Sequence, residues 1–153
     1  MIVVDVNVLA YLWLPGDMTL YAERTLHRDP EWIAPFLWRS EFRNILAGYM
    51  RRGTLTVEAA RRSLEGAESQ MTDREFIIPS ARILPLLSAT RCSAYDCEYA
   101  ALALDRGVPL VTADEGLLDA FPHVAIRLRT FGGPSARDKT SGYGRLTLSG
   151  GKA

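Results

Sequence analysis

Two short apolar runs limit what this chain can fold into. Ile2–Val6 reads IVVDV and Pro109–Asp114 reads PLVTAD. Neither alternates with polar residues, so neither suits a strand with one wet face. Both suit strands of a parallel sheet covered on both sides. Each run delivers one aspartate, Asp5 or Asp114, toward its C-terminal end. Parallel strands need long crossovers, and the intervening sequence supplies helical patterns for them. A helix beginning at Asn7 is stopped after Leu14 by Pro15-Gly16, and a short one runs from Thr19 to His27. EWIAPF (Glu31–Phe36) suggests a further strand. Leu37–Arg52 is the clearest helix, because Leu37, Trp38, Phe42, Ile45, Leu46 and Tyr49 recur at helical spacing before Gly53. Thr56 opens another that reaches Met71, without a capping box because Ala59 stands where Glu or Gln is needed. REFIIP is a short extended piece ending at Pro79. Ser80–Arg91 is a weaker helix containing Pro85, Ser93–Arg106 a strong one ended by Gly107, and Glu115–Phe121 a short one. VAIRLRTF (Val124–Phe131) alternates like an edge strand. Strands alternating with helices predict an α/β fold, a parallel sheet flanked by helices.

Composition narrows the function. At 48% hydrophobic and 24% charged residues, the 153-residue chain has the make-up of one globular domain. No apolar run approaches the roughly 20 residues of a membrane span. The N-terminus lacks a basic leader, and Cys92 and Cys97 are too few for a disulfide framework, so the cytoplasm is the expected compartment. Eighteen basic residues balance eighteen acidic ones, unevenly. From Gly132 onward Arg137, Lys139, Arg145 and Lys152 face Asp138 alone, a net of +3, which leaves −3 for residues 1–131. An acidic body argues against binding nucleic acid through a simple basic face, but not against a site that recruits its positive charge as metal ions. Both lysines lie in that tail, so no lysine chemistry belongs to the body. The composition predicts one folded domain over 1–131 and a disordered, Gly/Ser-rich basic tail over 132–153.

Four carboxylates carry the chemistry. Asp5 and Asp114 end strands, where ligands collect in open parallel sheets. Glu41 stands one turn from Trp38 and Ile45, on or beside an apolar helical stripe, and Asp96 is flanked by Cys92, Tyr99 and Ala100 in the same way. Carboxylates so placed are costly unless paired. Only Arg39 and Arg43 flank Glu41, and both point off its stripe. A hard divalent cation, Mg²⁺ or Mn²⁺, resolves the repulsion, since both favour oxygen ligands. Each residue also has a plainer reading. Asp5 and Asp114 can cap the helices that follow them, Glu41 can sit half-exposed, and Asp96 can be a first-turn carboxylate favoured by the helix dipole.

Taken in order, Asp5-Val6-Asn7 after an apolar strand, Glu41 in SEFRNIL, Asp96 in SAYDCEYAALAL and Asp114 in LVTAD resemble the four acidic motifs of PIN domains. The resemblance runs from Met1 to about Phe131 and is nearest to the VapC-type toxins of toxin–antitoxin pairs. It implies a three-layer α/β/α sandwich around a mainly parallel sheet of about four or five strands. It further implies a metal-dependent endoribonuclease with Asp5, Glu41, Asp96 and Asp114 as catalytic metal ligands for Mg²⁺ or Mn²⁺, leaving 5′-phosphate and 3′-hydroxyl ends. Asn7 and Thr112 match the polar positions that support the first and last acids. Asn7 stands where many relatives carry Ser or Thr. The resemblance also implies RNA as substrate, a homodimer and a small VapB-type antitoxin partner.

Further candidates are less pointed. Asp119 is an additional acid five residues after Asp114, whereas Glu98, about 200° from Asp96 around the helix, is expected to face solvent. Arg39 and Arg43 are candidate RNA phosphate contacts, and Trp13, Trp32 and Trp38 either stack bases or fill the core. An aspartyl phosphatase of the haloacid-dehalogenase kind wants an acid where Asn7 stands and a lysine the body lacks. A P-loop is absent from the sequence. Two alternatives remain: a PIN-domain RNA-processing nuclease outside a toxin system, and a catalytically silent PIN-like interaction module.

Overall fold

The two apolar runs become adjacent strands at the centre of one sheet. The computed structural model describes residues 1–134. In chain order these form β1 (Ile2–Val4), α1 (Val6–Trp13), α2 (Thr19–Arg28), β2 (Trp32–Pro35), α3 (Trp38–Arg51), α4 (Val57–Gln70) and β3 (Glu75–Phe76). They continue with α5 (Ser80–Ala89), α6 (Ala94–Arg106), β4 (Leu110–Thr112), α7 (Glu115–Ala120), β5 (Ala125–Arg127) and α8 (Leu128–Phe131). All five strands are parallel, in the order β3-β2-β1-β4-β5. Val3 is registered with Ile33 on one side and Leu110 on the other. Every residue of β1, β2 and β4 is buried, which is what their unbroken apolar sequence demands.

Helices cover both faces, giving the α/β/α sandwich the sequence predicts. α6 packs on β1, β2 and β4 with α5 against it, while α1 packs with α2, α3 and α4. Trp32, Trp38, Phe42, Tyr99 and Leu9 are fully enclosed, so two of the three tryptophans are core residues. The third, Trp13, is half-buried and donates Nε1 to Gln70 Oε1 at 2.8 Å across the α1–α4 contact. That contact is close because position 66 is glycine. A Cβ there would lie 2.3 Å from Trp13 Cζ3. Gly66→Ala gains about 1 kcal/mol of helix propensity. Overpacking against a ring pinned by its own hydrogen bond costs about 1–3 kcal/mol. A net loss is expected, read as a lower urea midpoint at unchanged slope.

One element departs from its pattern. Val124–Phe131 alternates like a strand, yet only Ala125–Arg127 pairs with β4, and the chain then turns into α8. The cause is tertiary. Leu128 is buried, and Gly132 lies so close to α2 that a Cβ would sit 2.1 Å from the Tyr21 carbonyl oxygen. The tail expectation falls, beyond Pro134, outside the described residues.

The strand order sets the position of the site. From β1 the chain moves through β2 to β3 in one direction, then returns to β4 and β5 on the other side. The order therefore reverses between β1 and β4, and the crevice at their carboxyl ends is where such sheets bind ligands. α6 ends shortly before β4 begins, so it runs opposite to that strand and opens at the same edge of the sheet. α1, α3 and α7 also begin at that edge, because each follows a strand.

Candidate functional site

Asp5 is the deepest of the acids, 5% exposed. Its backbone N–H extends the β1–β4 ladder to the Val111 carbonyl at 3.1 Å. It occupies the N-cap position of α1, but its side chain makes no capping bond. Thr112 Oγ1 donates to Asp5 Oδ2 at 2.9 Å instead, and Asn7 Nδ2 does so at 3.2 Å. The Thr112 hydroxyl also accepts the Asp114 N–H at 2.9 Å, so one fully buried oxygen ties the two strand ends together. Burial raises the Asp5 pKa. Thr112 and Asn7 oppose the rise, and the charge at Asp114 adds to it.

Glu41, in the first turn of α3, accepts the Tyr99 hydroxyl on Oε2 at 2.6 Å. Its pKa is raised to about 7, chiefly by burial. The Tyr99 hydrogen bond works against the shift, and the charges at Asp5, Asp96 and Glu98 work with it. Tyr99 is itself pushed well above its ordinary value by burial and by Glu41, so it remains a donor. Glu98 corrects one sequence expectation. It is half-buried rather than solvated, and its charge is felt by both Glu41 and Tyr99.

Asp96 and Asp114 are both held by main-chain amides. Asp96 Oδ2 accepts the Ser93 N–H at 3.2 Å and the Ser93 hydroxyl at 2.8 Å, while Ser93 Oγ accepts the Asp96 N–H, a reciprocal capping box on α6. Asp114 Oδ1 accepts the Leu117 N–H at 2.9 Å and caps α7. The plainer cap reading thus holds for Asp114, and Asp96 is the first-turn carboxylate of its plainer reading with a capping box added. Asp96 shares a cleft with Cys92 and Gly116, and the Cys92 thiol, whose pKa burial raises, is raised further by the charges at both Asp96 and Asp114.

Two properties of the set bear on a metal. Among the described residues no arginine forms an ion pair with any of the four acids. Glu41, Asp96 and Asp114 each use one oxygen for the bonds above, and the other accepts no hydrogen bond from a described residue. Carboxylate oxygens left open and without a countercharge are the donor type a hard divalent cation takes. The fit is chemical rather than preformed. Among the described residues no three His, Cys, Asp or Glu side chains already close on a common metal position. Two of the acids are turned onto their capping amides instead.

The remaining candidates scatter. Asp119 lines a cleft of about 770 Å³ together with Asp96, Ser93 and Arg91. Arg39 is committed elsewhere. It grips Glu75 with Nε at 2.6 Å and Nη2 at 3.0 Å, and Glu68 with Nη1 at 2.5 Å. Arg43 approaches Glu68 at 3.9 Å and is more exposed. Arg91, which reading the helices for cations overlooked, lines a cleft shared with one of the acids. Its position beside the capping box of α6 was the available signal.

The comparisons with known proteins bear on this arrangement. The family model for the PIN domain matches residues 2–124, which holds all four acids. The chain belongs to the PIN domain family. PIN domains are generally nucleases, and the five-stranded parallel sandwich is consistent with that fold. The crystal structure of PAE2754 from Pyrobaculum aerophilum is similar to this PIN domain with a TM-score of 0.70 at 24% identity, over 86% of this chain and 85% of that chain, a likeness of fold. Among curated proteins none matches. Among the described residues no helix is long and apolar enough to cross a membrane.

Proposed function

We propose that this PIN domain is a metal-dependent endoribonuclease using Mg²⁺ or Mn²⁺, and that it is the VapC-type toxin of a type II toxin–antitoxin pair. The observation that carries the nuclease reading is Asp5: a carboxylate almost removed from water at the switch point of the sheet, met by two neutral donors, with Asp114 and Glu41 within electrostatic reach. Asp5, Glu41, Asp96 and Asp114 hold the ion, with Asp119 as an outer acid. When bound, a divalent cation offsets the acids' repulsion and lowers the cost of ionising water beside the scissile phosphate. Thr112 and Asn7 fix the inner carboxylate, and Tyr99 fixes Glu41. Arg91 and Arg43 meet RNA phosphates.

The toxin role rests on the order of the four motifs within one family-length domain. It carries with it a homodimer and a VapB-type partner in the cytoplasm. The domain extends over 1–131, and 132–153 is an appendage to it. The absence of a preformed ligand cage among the described residues favours, as a second reading, a catalytically silent PIN module.

A panel of structured RNAs incubated with Mg²⁺, Mn²⁺ or EDTA separates these readings. Cleavage is expected with metal alone and with 5′-phosphate ends. Asp96→Asn should fall below about a hundredth of wild-type rate. Cutting that survives EDTA, or that Asp96→Asn matches, refutes the nuclease assignment. No cutting under any metal condition selects the silent module. Growth arrest on expression, lost in Asp96→Asn, tests the toxin role.

A further inference from the structure

A second cleft, of about 680 Å³, is lined by Glu41 and differs in chemistry from the one beside Asp96. Leu37, the N-cap of α3, and Ser40, Glu41, Asn44 and Ile45 of α3 line it, at three- and four-residue spacing and hence from one face of that helix. Tyr95, the residue before Asp96, lines it from α6. The cleft is thus joined to the acidic site at both helices. Among the described residues its lining contains no cation. Arg39 and Arg43 of the same helix are directed to Glu68 and Glu75 instead. A phosphate is therefore a poor occupant.

What the cleft offers is uncharged. Ser40 and Asn44 are exposed, and their side chains make no hydrogen bond to any described residue. Tyr95 is 63% exposed, its ring and hydroxyl both unengaged by described residues. Leu37 and Ile45 are half-buried and supply an apolar wall. An open aromatic face beside an amide and a hydroxyl suits a flat, neutral ligand with donors and acceptors on its edge. Unpaired nucleobases have that chemistry, and proteins take them up by aromatic stacking and edge hydrogen bonds.

We propose that this cleft is a nucleobase subsite, in which Tyr95 stacks an unpaired base next to the scissile phosphate and Asn44 and Ser40 read its edge. The proposal rests on the ribonuclease reading and adds that the substrate is single-stranded at the cut, with base preference set by Asn44 and Ser40.

The test uses the full chain and fluorescein-labelled single-stranded hexanucleotides of A, C, G or U, alongside one duplex. Binding is read by anisotropy on the Asp96→Asn background with Mg²⁺, which separates it from cutting. Cut-site preference is read on the unmutated acids. Tyr95→Ala should weaken single-strand binding about tenfold and Tyr95→Phe should restore it, since the ring alone stacks. Asn44→Ala should flatten the preference among the four bases, with a similar loss for the favoured one. Thermal melts of these exposed-site variants should match wild type, which excludes misfolding. Cleavage with affinity and cut sites unchanged in all three variants overturns the subsite and leaves the nuclease. That is also the result if the cleft receives a protein segment. Base-selective binding without cleavage by the unmutated protein overturns the nuclease and leaves the subsite. Duplex bound as tightly as single strand overturns the subsite, and no binding to any strand overturns both.

Discussion

Glu41→Gln should abolish metal-dependent cleavage and at the same time stabilise the metal-free protein at pH 8. The two effects have one cause. Folding raises the Glu41 pKa from 4.5 to about 7, chiefly through burial and with the charges at Asp5, Asp96 and Glu98 adding to it. Below pH 4.5 the group is protonated whether the chain is folded or not, and it costs nothing. Between pH 4.5 and 7 the unfolded chain releases this proton while the folded chain keeps it, so stability falls as pH rises. Above 7 the full penalty remains. One pKa unit corresponds to about 1.4 kcal/mol. Because Glu41 is only about half-buried, solvent screening discounts the total to roughly 1–2 kcal/mol. Asp5, also raised, adds in the same direction. Glutamine carries no charge to desolvate, and its side-chain carbonyl still accepts the Tyr99 hydroxyl. The variant should therefore melt several degrees above wild type at pH 8 and about equal to it at pH 4.5. Saturating Mn²⁺ should reverse the order, because an ion at about 100 times its Kd stabilises wild type by about 2.7 kcal/mol and the variant by much less. Melting curves at two pH values, with and without Mn²⁺, check all four conditions. A variant less stable than wild type in metal-free buffer at pH 8 would show that the Glu41 charge serves the fold.

How much of this was legible in the sequence depends on how local the deciding interaction is. β1 and β4 were legible because an unbroken apolar run ending in one aspartate has few other uses, and the α/β/α sandwich follows from its strand–helix alternation. The limits of α6 were legible because a serine starts it and Gly107 ends it with φ of 63°. The end of β5 was not, since the turn into α8 depends on Gly132 meeting α2, more than a hundred residues earlier in the chain. Arg39 looked available for RNA because its partner Glu75 lies 36 residues away on another element. Glu98 looked solvated because an angle measured from Asp96 says nothing of the Glu41 helix packed nearby. The four acids stood out by type and order. The capping bonds that occupy Asp96 and Asp114 are local: the Asp114 cap stands among the sequence alternatives, whereas Asp96 reads there only as a first-turn carboxylate and its reciprocal bonds with Ser93 come from the structure.

The second large effect concerns the support beneath Glu41. Glu75→Ala should destabilise the protein by about 3 kcal/mol, a melting shift on the order of 10 °C. Glu75 is 13% exposed and accepts three bonds: from Trp38 Nε1 at 2.6 Å, from Arg39 Nε at 2.6 Å and from Arg39 Nη2 at 3.0 Å. Arg39 also reaches Glu68 on α4 and lies 5.5 Å from the Trp38 ring centroid. This one carboxylate thereby joins the two-residue edge strand β3 to the first turn of α3 and, through Arg39, to α4. Alanine leaves a buried indole N–H without its acceptor and a partly buried guanidinium with half its countercharge. Removing one partner from such a pair costs about 3–5 kcal/mol, and the surviving Glu68 bond places the loss at the lower end. Glu75→Gln keeps an acceptor for Trp38 and should cost less than half as much. Trp38 and Arg39 lie in the same first turn of α3 as Glu41. Loosening them should also lower metal-dependent cleavage at 25 °C, where the variant remains folded. Denaturant melts and RNA cleavage on the same preparations check both. A Glu75→Ala protein that melts within 2 °C of wild type would mean that the network contributes nothing to holding α3.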